Sequence, residues 1–191
     1  ASWGRLDVPL LIDPDARAVA HLAPLALVDA ILAKRNLGTR IGMAPVVVGV
    51  GPGFVAGGDV NAVVETSRGH DLGRVLLSGS AAPDTGVPGL IAGEGRARVL
   101  HAPVAGAVKA LVALGDAVEA GAPVLAVGEV VVRAAIGGVV RGLIRPGLEV
   151  AKGTKVADVD PRGARESCFT VSDKARAVGG GVLEAVLALA P

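Results

Sequence analysis

The sequence predicts a mixed α/β and α+β protein, in which a truncated α/β domain precedes a small all-β domain and a C-terminal helix. Three observations support this fold class. Residues 45–50 form a continuous apolar run, which suits a strand buried on both faces. A pattern of glycines and valines starting at Ala102 returns at Ala134, an offset of 32 residues. Apolar residues in 181–190 recur at helical spacing.

Composition excludes several classes of protein. The chain has 191 residues, 19 basic and 18 acidic side chains, and a net charge of +1. This balance, together with two Phe, one Trp and no Tyr, argues against binding to nucleic acid. The sequence contains no signal peptide and no apolar run of about 18 residues, so no membrane association is expected. A single cysteine, Cys168, excludes an internal disulfide and favours a cytoplasmic location.

The first predicted domain, residues 1–95, has the strand and turn pattern of a partial Rossmann-like fold. Residues 8–12 are predicted as a short buried strand, and Asp13 and Pro14 as the N-cap and first position of a helix. The remaining segments are a strand or helix at 26–33, a strand at 45–50, a strand or short helix at 59–67, a strand at 73–81 and a loop at 82–95.

The internal repeat defines the second predicted domain, residues 96–160. Aligned glycines place turns at the same points in both copies, and aligned valines place the same strands on one core. The matched pairs are Gly106 with Gly138, Gly115 with Gly147, Gly121 with Gly153, Val118 with Val150, Val124 with Val156 and Val127 with Val159.

The third predicted segment, residues 161–191, ends in an amphipathic helix that packs on the first domain. Ser172 is a suitable N-cap, and Asp173 is favourable in the first turn. Three consecutive glycines at 179–181 weaken a helix. We therefore expect either a break there or a close approach by another backbone.

A glycine-rich loop, "GVGPGFVAGGD", is the first candidate site. Its Gly51, Gly53, Gly57 and Gly58 follow a predicted strand, the context in which backbone amides cradle an anion. The loop lacks the Gly-Lys-Ser/Thr ending of a P-loop and the third glycine of a dinucleotide fingerprint, and Pro52 has no amide hydrogen. A structural turn remains the alternative.

Two polar clusters are the next candidates. Arg68, His70, Asp71 and Arg74 lie in "ETSRGHDLGR", where an Asp can orient a His and an Arg can clamp an anion. The alternative is a solvated loop. A second cluster follows an apolar run, at the strand end where open α/β sheets bind ligands; it contains Lys34, Arg35 and Asn36. Its alternative is a charged surface turn.

Cys168 and His70 are the catalytic candidates. A lone cysteine is either a small buried hydrophobe or a nucleophile, and a neighbouring His70 would activate it. The spacing of one cysteine and three histidines does not match a zinc site, so no metal is predicted.

The repeat in residues 98–160 resembles the biotinyl/lipoyl-like barrel-sandwich hybrid. Each half carries its turn and strand pattern, as "GDAVEAGAPV" and as "GLEVAKGTKV". In carrier domains of that fold, the modified lysine lies on the hairpin between the halves. Here that hairpin, residues 126–135, contains no lysine, so we expect no attached biotin or lipoate. The sequence identifies no other cofactor.

Blocks along nearly the whole chain resemble the selenium-dependent molybdenum hydroxylase system proteins. These blocks are "DAILAKRNLGT", "GPGFVAGGDVNAVVETSRGHDLGRV", "DTGVPG", the repeat and "DPRGARESCFTVSDKARAVGGGVLEA". Members of that family usually begin with a "G-x-G-D-L-A" segment that this chain lacks, so the chain is a fragment or its site is built differently. The resemblance implies an accessory role in maturing a molybdenum hydroxylase, with the hydroxylase or its cofactor-insertion machinery as partner. It assigns no catalytic residues.

Three hypotheses follow from the sequence. The first is a maturation factor that binds an anionic ligand, such as a pterin phosphate or an oxoanion, at loops 51–58 and 68–74. The second is a sulfur or selenium transferase that uses Cys168 or His70. The third is a structural docking module, and formation of a homo-oligomer stays open.

Overall fold

The computed structural model describes residues 8–87 and 89–191. Across these residues, twelve strands form three four-stranded sheets, and a long helix lies near the C-terminus. The mixed α+β class is confirmed. The chain divides into two compact units: unit 1 is the chain up to Asp84 together with Lys174–Pro191, and unit 2 is Thr85–Asp173. The finer division at residues 95 and 160 stays a prediction.

Unit 1 contains one sheet in the order β1-β2-β3-β4. Its strands are β1 (Ala26–Asp29), β2 (Val46–Val50), β3 (Ala62–Val64) and β4 (Val75–Leu76). β1, β2 and β3 are parallel, whereas β4 runs antiparallel to β3. Every residue of β2 and β3 is buried, as their apolar sequences predict. The carboxyl ends of the three parallel strands share one edge of the sheet, which we call the carboxyl edge.

The connections between the parallel strands differ from the predicted α/β alternation. Residues 30–45 and 51–61 contain no helix. A single-turn helix, α1 (Ala18–Leu22), precedes β1. The carboxylate of Asp13 accepts the N–H groups of Arg17 and Ala18 at 2.9 and 2.7 Å, and these bonds lower the pKa of Asp13. Asp13 therefore ties down the start of the helix, although the helix begins later than predicted.

The prediction of a buried strand at residues 8–12 is wrong. These residues form no strand, and the side chain of Leu11, the least exposed of their large apolar residues, is 61 % exposed. An apolar run becomes a strand only where a neighbouring strand completes its hydrogen bonds. Pro9 also has no amide hydrogen to donate to such a neighbour.

The C-terminal helix α2 (Asp173–Leu189) begins one residue after Ser172, as predicted, and packs over β2 and β3 through Ala185. Of the two outcomes expected at residues 179–181, the break does not occur, because the helix is continuous. The predicted close approach is confirmed, since a side chain at Gly181 would overlap the carbonyl oxygen of Gly73. No helix in the described ranges combines the length and the apolar composition that crossing a membrane requires.

Unit 2 contains the other two sheets. Its strands are β5 (Val99–His101), β6 (Gly106–Ala110), β7 (Ala117–Val118), β8 (Pro123–Val127), β9 (Val130–Arg133), β10 (Gly138–Leu143), β11 (Glu149–Val150) and β12 (Lys155–Asp160). One sheet has the order β5-β12-β10-β7, and the other has the order β11-β6-β8-β9. A single apolar core fills this unit, with members from both sheets.

The 32-residue repeat appears in unit 2 as an exchange of strands. At the offset of the repeat, β5, β6, β7 and β8 correspond to β9, β10, β11 and β12. When each strand is replaced by its counterpart, the order of one sheet becomes the order of the other. Backbone hydrogen bonds repeat in the same way: Gly115 N–H donates to Val140 O, and Gly147 N–H donates to Val108 O, both at 2.8 Å. The two halves are therefore interlocked, and each completes the sheet of the other.

A buried carboxylate lies at the end of β12. Asp160 is 2 % exposed, and its oxygens accept hydrogen bonds from Arg162 Nη2 at 2.6 Å, Arg162 Nε at 2.9 Å and Arg141 Nη1 at 3.0 Å. The bonds from Arg162 are the main reason that the pKa of Asp160 lies well below its usual range. Asp160 therefore stabilises the folded protein only while it is ionised.

We expect Gly181→Ala to destabilise unit 1 by about 1–3 kcal/mol, because the added methyl group overlaps the Gly73 carbonyl. Gly180→Ala is the matched control. Gly180 is exposed and has open space around it, so alanine should stabilise the helix by about 0.5–1 kcal/mol. Urea unfolding of both variants measures the difference. Equal stabilities would contradict the close packing of α2 on Gly73.

We expect Asp160→Asn to lower the free energy of unfolding by about 1.5–3 kcal/mol at pH 7. Because folding lowers the pKa of Asp160, the stabilisation is present above the ordinary Asp pKa of about 3.9 and is lost as the pH falls further. The difference in free energy of unfolding between wild type and variant should therefore decrease as the pH falls below about 4. The control is Glu129→Gln, at an exposed carboxylate. A gap that stays constant with pH would refute the role of the ionised carboxylate.

Candidate functional site

The loops after the three parallel strands converge at the carboxyl edge. A Cβ atom on Gly51, after β2, would lie 2.9 Å from Thr66 Oγ1 and 3.4 Å from Leu32 Cδ2. A Cβ atom on Gly53 would lie 2.6 Å from the Cα of Arg35. Both glycines have positive φ, at 81° and 110°. The loop after β2 is thus held between its two neighbours at positions that only glycine fits.

The amide groups of this loop are largely used by the protein itself. Gly51 N–H donates to Val64 O at 2.8 Å. Gly57 and Gly58 lie farther along, in a turn where their N–H groups donate to Val60 O at 2.8 Å and to Val55 O at 3.1 Å. Three of the four predicted cradle glycines therefore already have protein acceptors. These glycines allow neighbouring backbone segments to pack closely. An anion at this edge would therefore be bound mainly by side chains.

Glu65 shapes the loop after β3. It is 6 % exposed, and Oε1 accepts the N–H groups of Thr66 and Ser67, both at 2.7 Å. Oε2 accepts the N–H of Ala82, also at 2.7 Å. These bonds attach the start of the 65–74 hairpin to the segment that follows β4. They also leave one buried negative charge under the carboxyl edge.

Asn36, a predicted ligand residue, organises the loop after β1. Its Oδ1 accepts the N–H groups of Gly38 and Thr39 at 2.8 Å, and its Nδ2 donates to Thr39 O at 2.7 Å. The hydroxyl of Thr39 donates to the buried carboxylate of Asp29 at 2.6 Å. Asn36 is therefore a positioning residue for the loop that carries Lys34 and Arg35.

Three cations meet at the carboxyl edge: Lys34 after β1, Arg68 after β3 and Lys174 in the first turn of α2. We call them the cationic cluster. Burial lowers the pKa of Lys174, the charges of Arg68 and Lys34 lower it further, and the charge of Glu65 opposes the shift. Lys34 Nζ lies 4.0 Å from Asp84 Oδ1, in an ion pair whose side chains are both 46 % exposed. The charges of Lys34 and Arg68 therefore both act on Lys174.

Lys174 is the member of the cationic cluster that the sequence pattern did not single out. It is separated from Lys34 by most of the chain, and only the packing of α2 on the β3–β4 hairpin brings it to the carboxyl edge. The sequence does contain an indication of its role, because a lysine in the first turn of a helix interacts unfavourably with the helix dipole. The backbone of Lys34 also has a positive φ of 64°, an uncommon conformation outside glycine.

The other predicted residues lie at the surface or in the other unit. His70, Asp71 and Arg74 are exposed on the hairpin, where Asp71 Oδ1 lies 2.7 Å from Arg74 Nη1, so this carboxylate faces Arg74. Cys168 belongs to unit 2, ends a 3₁₀ turn and places its Sγ 3.7 Å from Val140 O. A nucleophile pair of His70 and Cys168 stays a hypothesis. In the part of the chain that is described, no three His, Cys, Asp or Glu side chains gather as metal ligands do.

Comparison with curated proteins finds a long relative. YqeB of Escherichia coli (strain K12), described as an uncharacterized protein, is 52 % identical over 182 residues, which are 95 % of this chain and 34 % of YqeB. The chain thus spans about a third of the length of that relative. No protein-family profile and no solved structure matches the chain.

We expect Gly53→Ala to destabilise unit 1 more than Gly57→Ala. Both glycines have positive φ, so each alanine should cost about 1–2 kcal/mol in backbone strain. Only Gly53 adds a clash, because its Cβ would meet the backbone of Arg35, whereas Gly57 faces open space. Thermal unfolding of the two variants should show an extra loss of about 1–3 kcal/mol for Gly53→Ala. Equal losses would mean that the two loops do not pack as described.

Proposed function

We propose that unit 1 binds a small oxyanion at the cationic cluster, as part of an accessory protein that matures a molybdenum hydroxylase. The observation that carries the binding proposal is the packing of the loops after β1 and β3 on either side of the loop after β2. These loops carry Lys34 and Arg68, whose charges both act on Lys174. The maturation role rests on the sequence blocks that resemble the molybdenum hydroxylase system proteins.

The electrostatics favour an anion with more than one negative charge. Like charges held near one another raise the energy of the site, and a bound anion relieves that repulsion. Lysine offers a compact charge with three donors, and arginine offers paired donors that match the oxygens of tetrahedral anions. Because burial and its neighbours lower the pKa of Lys174, anion binding should raise that pKa and strengthen the hold of Lys174 on its proton.

The position of the cluster also favours ligand binding. Parallel sheets bind ligands outside the carboxyl ends of their strands, where loops can be shaped without disturbing the core. Here the loop backbones are fixed by Glu65 and Asn36, so the charged side chains stand on a rigid base. A rigid base limits the conformational entropy that binding would cost.

We propose that unit 2 is a barrel-sandwich hybrid that serves as a docking module for the hydroxylase or its cofactor-insertion machinery. The interlocked halves and exchanged sheets support the fold. The hairpin between β8 and β9 has Gly128 and Glu129 at its tip, an acidic residue where carriers have their modified lysine. With no amine at the tip, biotin or lipoate has no attachment point, which favours docking over carrying.

Isothermal titration calorimetry tests the anion site with molybdate, inorganic phosphate and ATP as probes. We expect at least one of them to bind, and Lys174→Met to weaken that binding by about tenfold, since a hydrogen bond to a charged group contributes about 1.5–3 kcal/mol. Binding should also weaken as salt is added.

The matched control is Lys152→Met, at an exposed turn in unit 2. It should leave the affinity unchanged. Equal loss in both variants would place the anion elsewhere, and no heat with any of the three probes would overturn the proposed oxyanion site.

A further inference from the structure

The outer edge of β1 is open. In the order β1-β2-β3-β4, β1 pairs only with β2, and its other side has no neighbouring strand among the described residues. Proteins usually guard such an edge with lysine, proline or a bulge. β1 reads Ala-Leu-Val-Asp, and its one charge, Asp29, is buried and bonded to the loop that follows. The edge therefore offers unguarded backbone donors and acceptors.

The side chains around this edge are apolar and exposed. Val28 lies on the same face of the sheet as Ala26 and is 37 % exposed, whereas Val48 beside it in β2 is fully buried in the cluster beneath α2. Leu25 and Ile31, on either side of β1 in sequence, are 52 and 69 % exposed. Helix α2 thus covers β2 and β3 and reaches Ala26 at the start of β1, but it leaves Val28 exposed. An apolar patch next to an open edge is the surface that another strand would cover.

The relative YqeB indicates where such a strand would come from. The matched region makes up 34 % of YqeB, so about two thirds of that polypeptide lies outside it. We propose that, where this region is part of a longer polypeptide as in YqeB, an apolar β-strand from outside the matched region pairs with the free edge of β1 and covers Leu25, Val28 and Ile31. The sheet of unit 1 then has five strands, with β1 in its interior. This inference is independent of the proposed oxyanion site.

Amide hydrogen exchange tests the proposal on two proteins, the 191-residue chain and full-length YqeB. In the 191-residue chain we expect the amides of β1 to exchange at least tenfold faster than those of β2. In YqeB the peptide aligned with β1 should be protected to the level of the peptide aligned with β2. Equally fast exchange of β1 in both proteins would overturn the proposal.

A second measurement separates the donated strand from self-association. If β1 of the 191-residue chain becomes protected as its concentration rises and light scattering shows a dimer, a second copy covers the edge and the proposal fails. Lysine at the YqeB position aligned with Val28 should raise exchange of the β1 peptide in YqeB. Val28→Lys in the 191-residue chain should leave the exchange of β2 unchanged, which shows that the substitution does not unfold unit 1. No change of β1 exchange in the YqeB variant would count against the donated strand.

Discussion

The contact between the loop after β2 and its two neighbours governs the architecture of the carboxyl edge. Gly53 packs directly on the backbone of Arg35, and Gly51 packs on Thr66, with no room for a side chain at either position. This contact brings the loop after β1 and the loop after β3 to either side of one short segment. Lys34 and Arg68 are thereby held near each other, although thirty-odd residues separate them in the chain. The positions of these two cations at the carboxyl edge therefore follow from the close packing of the loop backbones.

Buried carboxylates make that packing durable. Glu65 accepts three backbone N–H groups, and Asp29 accepts a hydroxyl and a backbone N–H, so both negative charges are satisfied by hydrogen bonds in the fold. Asp160 fills the same role in unit 2 with arginine donors. The donors differ between the two units. At Asp160 they are two arginine side chains, whereas Glu65 in unit 1 accepts backbone N–H groups.

The sequence predicted those parts of the fold that depend on local pattern. The buried run at 45–50 became β2, and the repeated glycines and valines became two interlocked halves, because turns and strand faces are fixed over a few residues. The strand at 8–12 was predicted wrongly, and the choice at 179–181 between a break and a close approach stayed open, for one reason. Each depends on what lies next to it in space: a missing partner strand in one case, and the supporting sheet under Gly181 in the other. In the site, Lys34 and Arg68 were named from local clusters, but Lys174 required the packing of a distant helix.

The same packing would link the proposed anion binding to the stability of unit 1. Helix α2 supplies the apolar cover of β2 and β3 and also carries Lys174, while the hairpin that meets it at Gly73 carries Arg68. Repulsion between Lys174 and Arg68 destabilises the packing of α2 on the hairpin, whereas the close contact of Gly181 with Gly73 stabilises it. An anion bound at the proposed site would reduce this repulsion, and the site is complete only when the helix is in place. Such binding would therefore stabilise the folded unit by mass action, by an amount that grows with the logarithm of the ratio of free ligand to its dissociation constant.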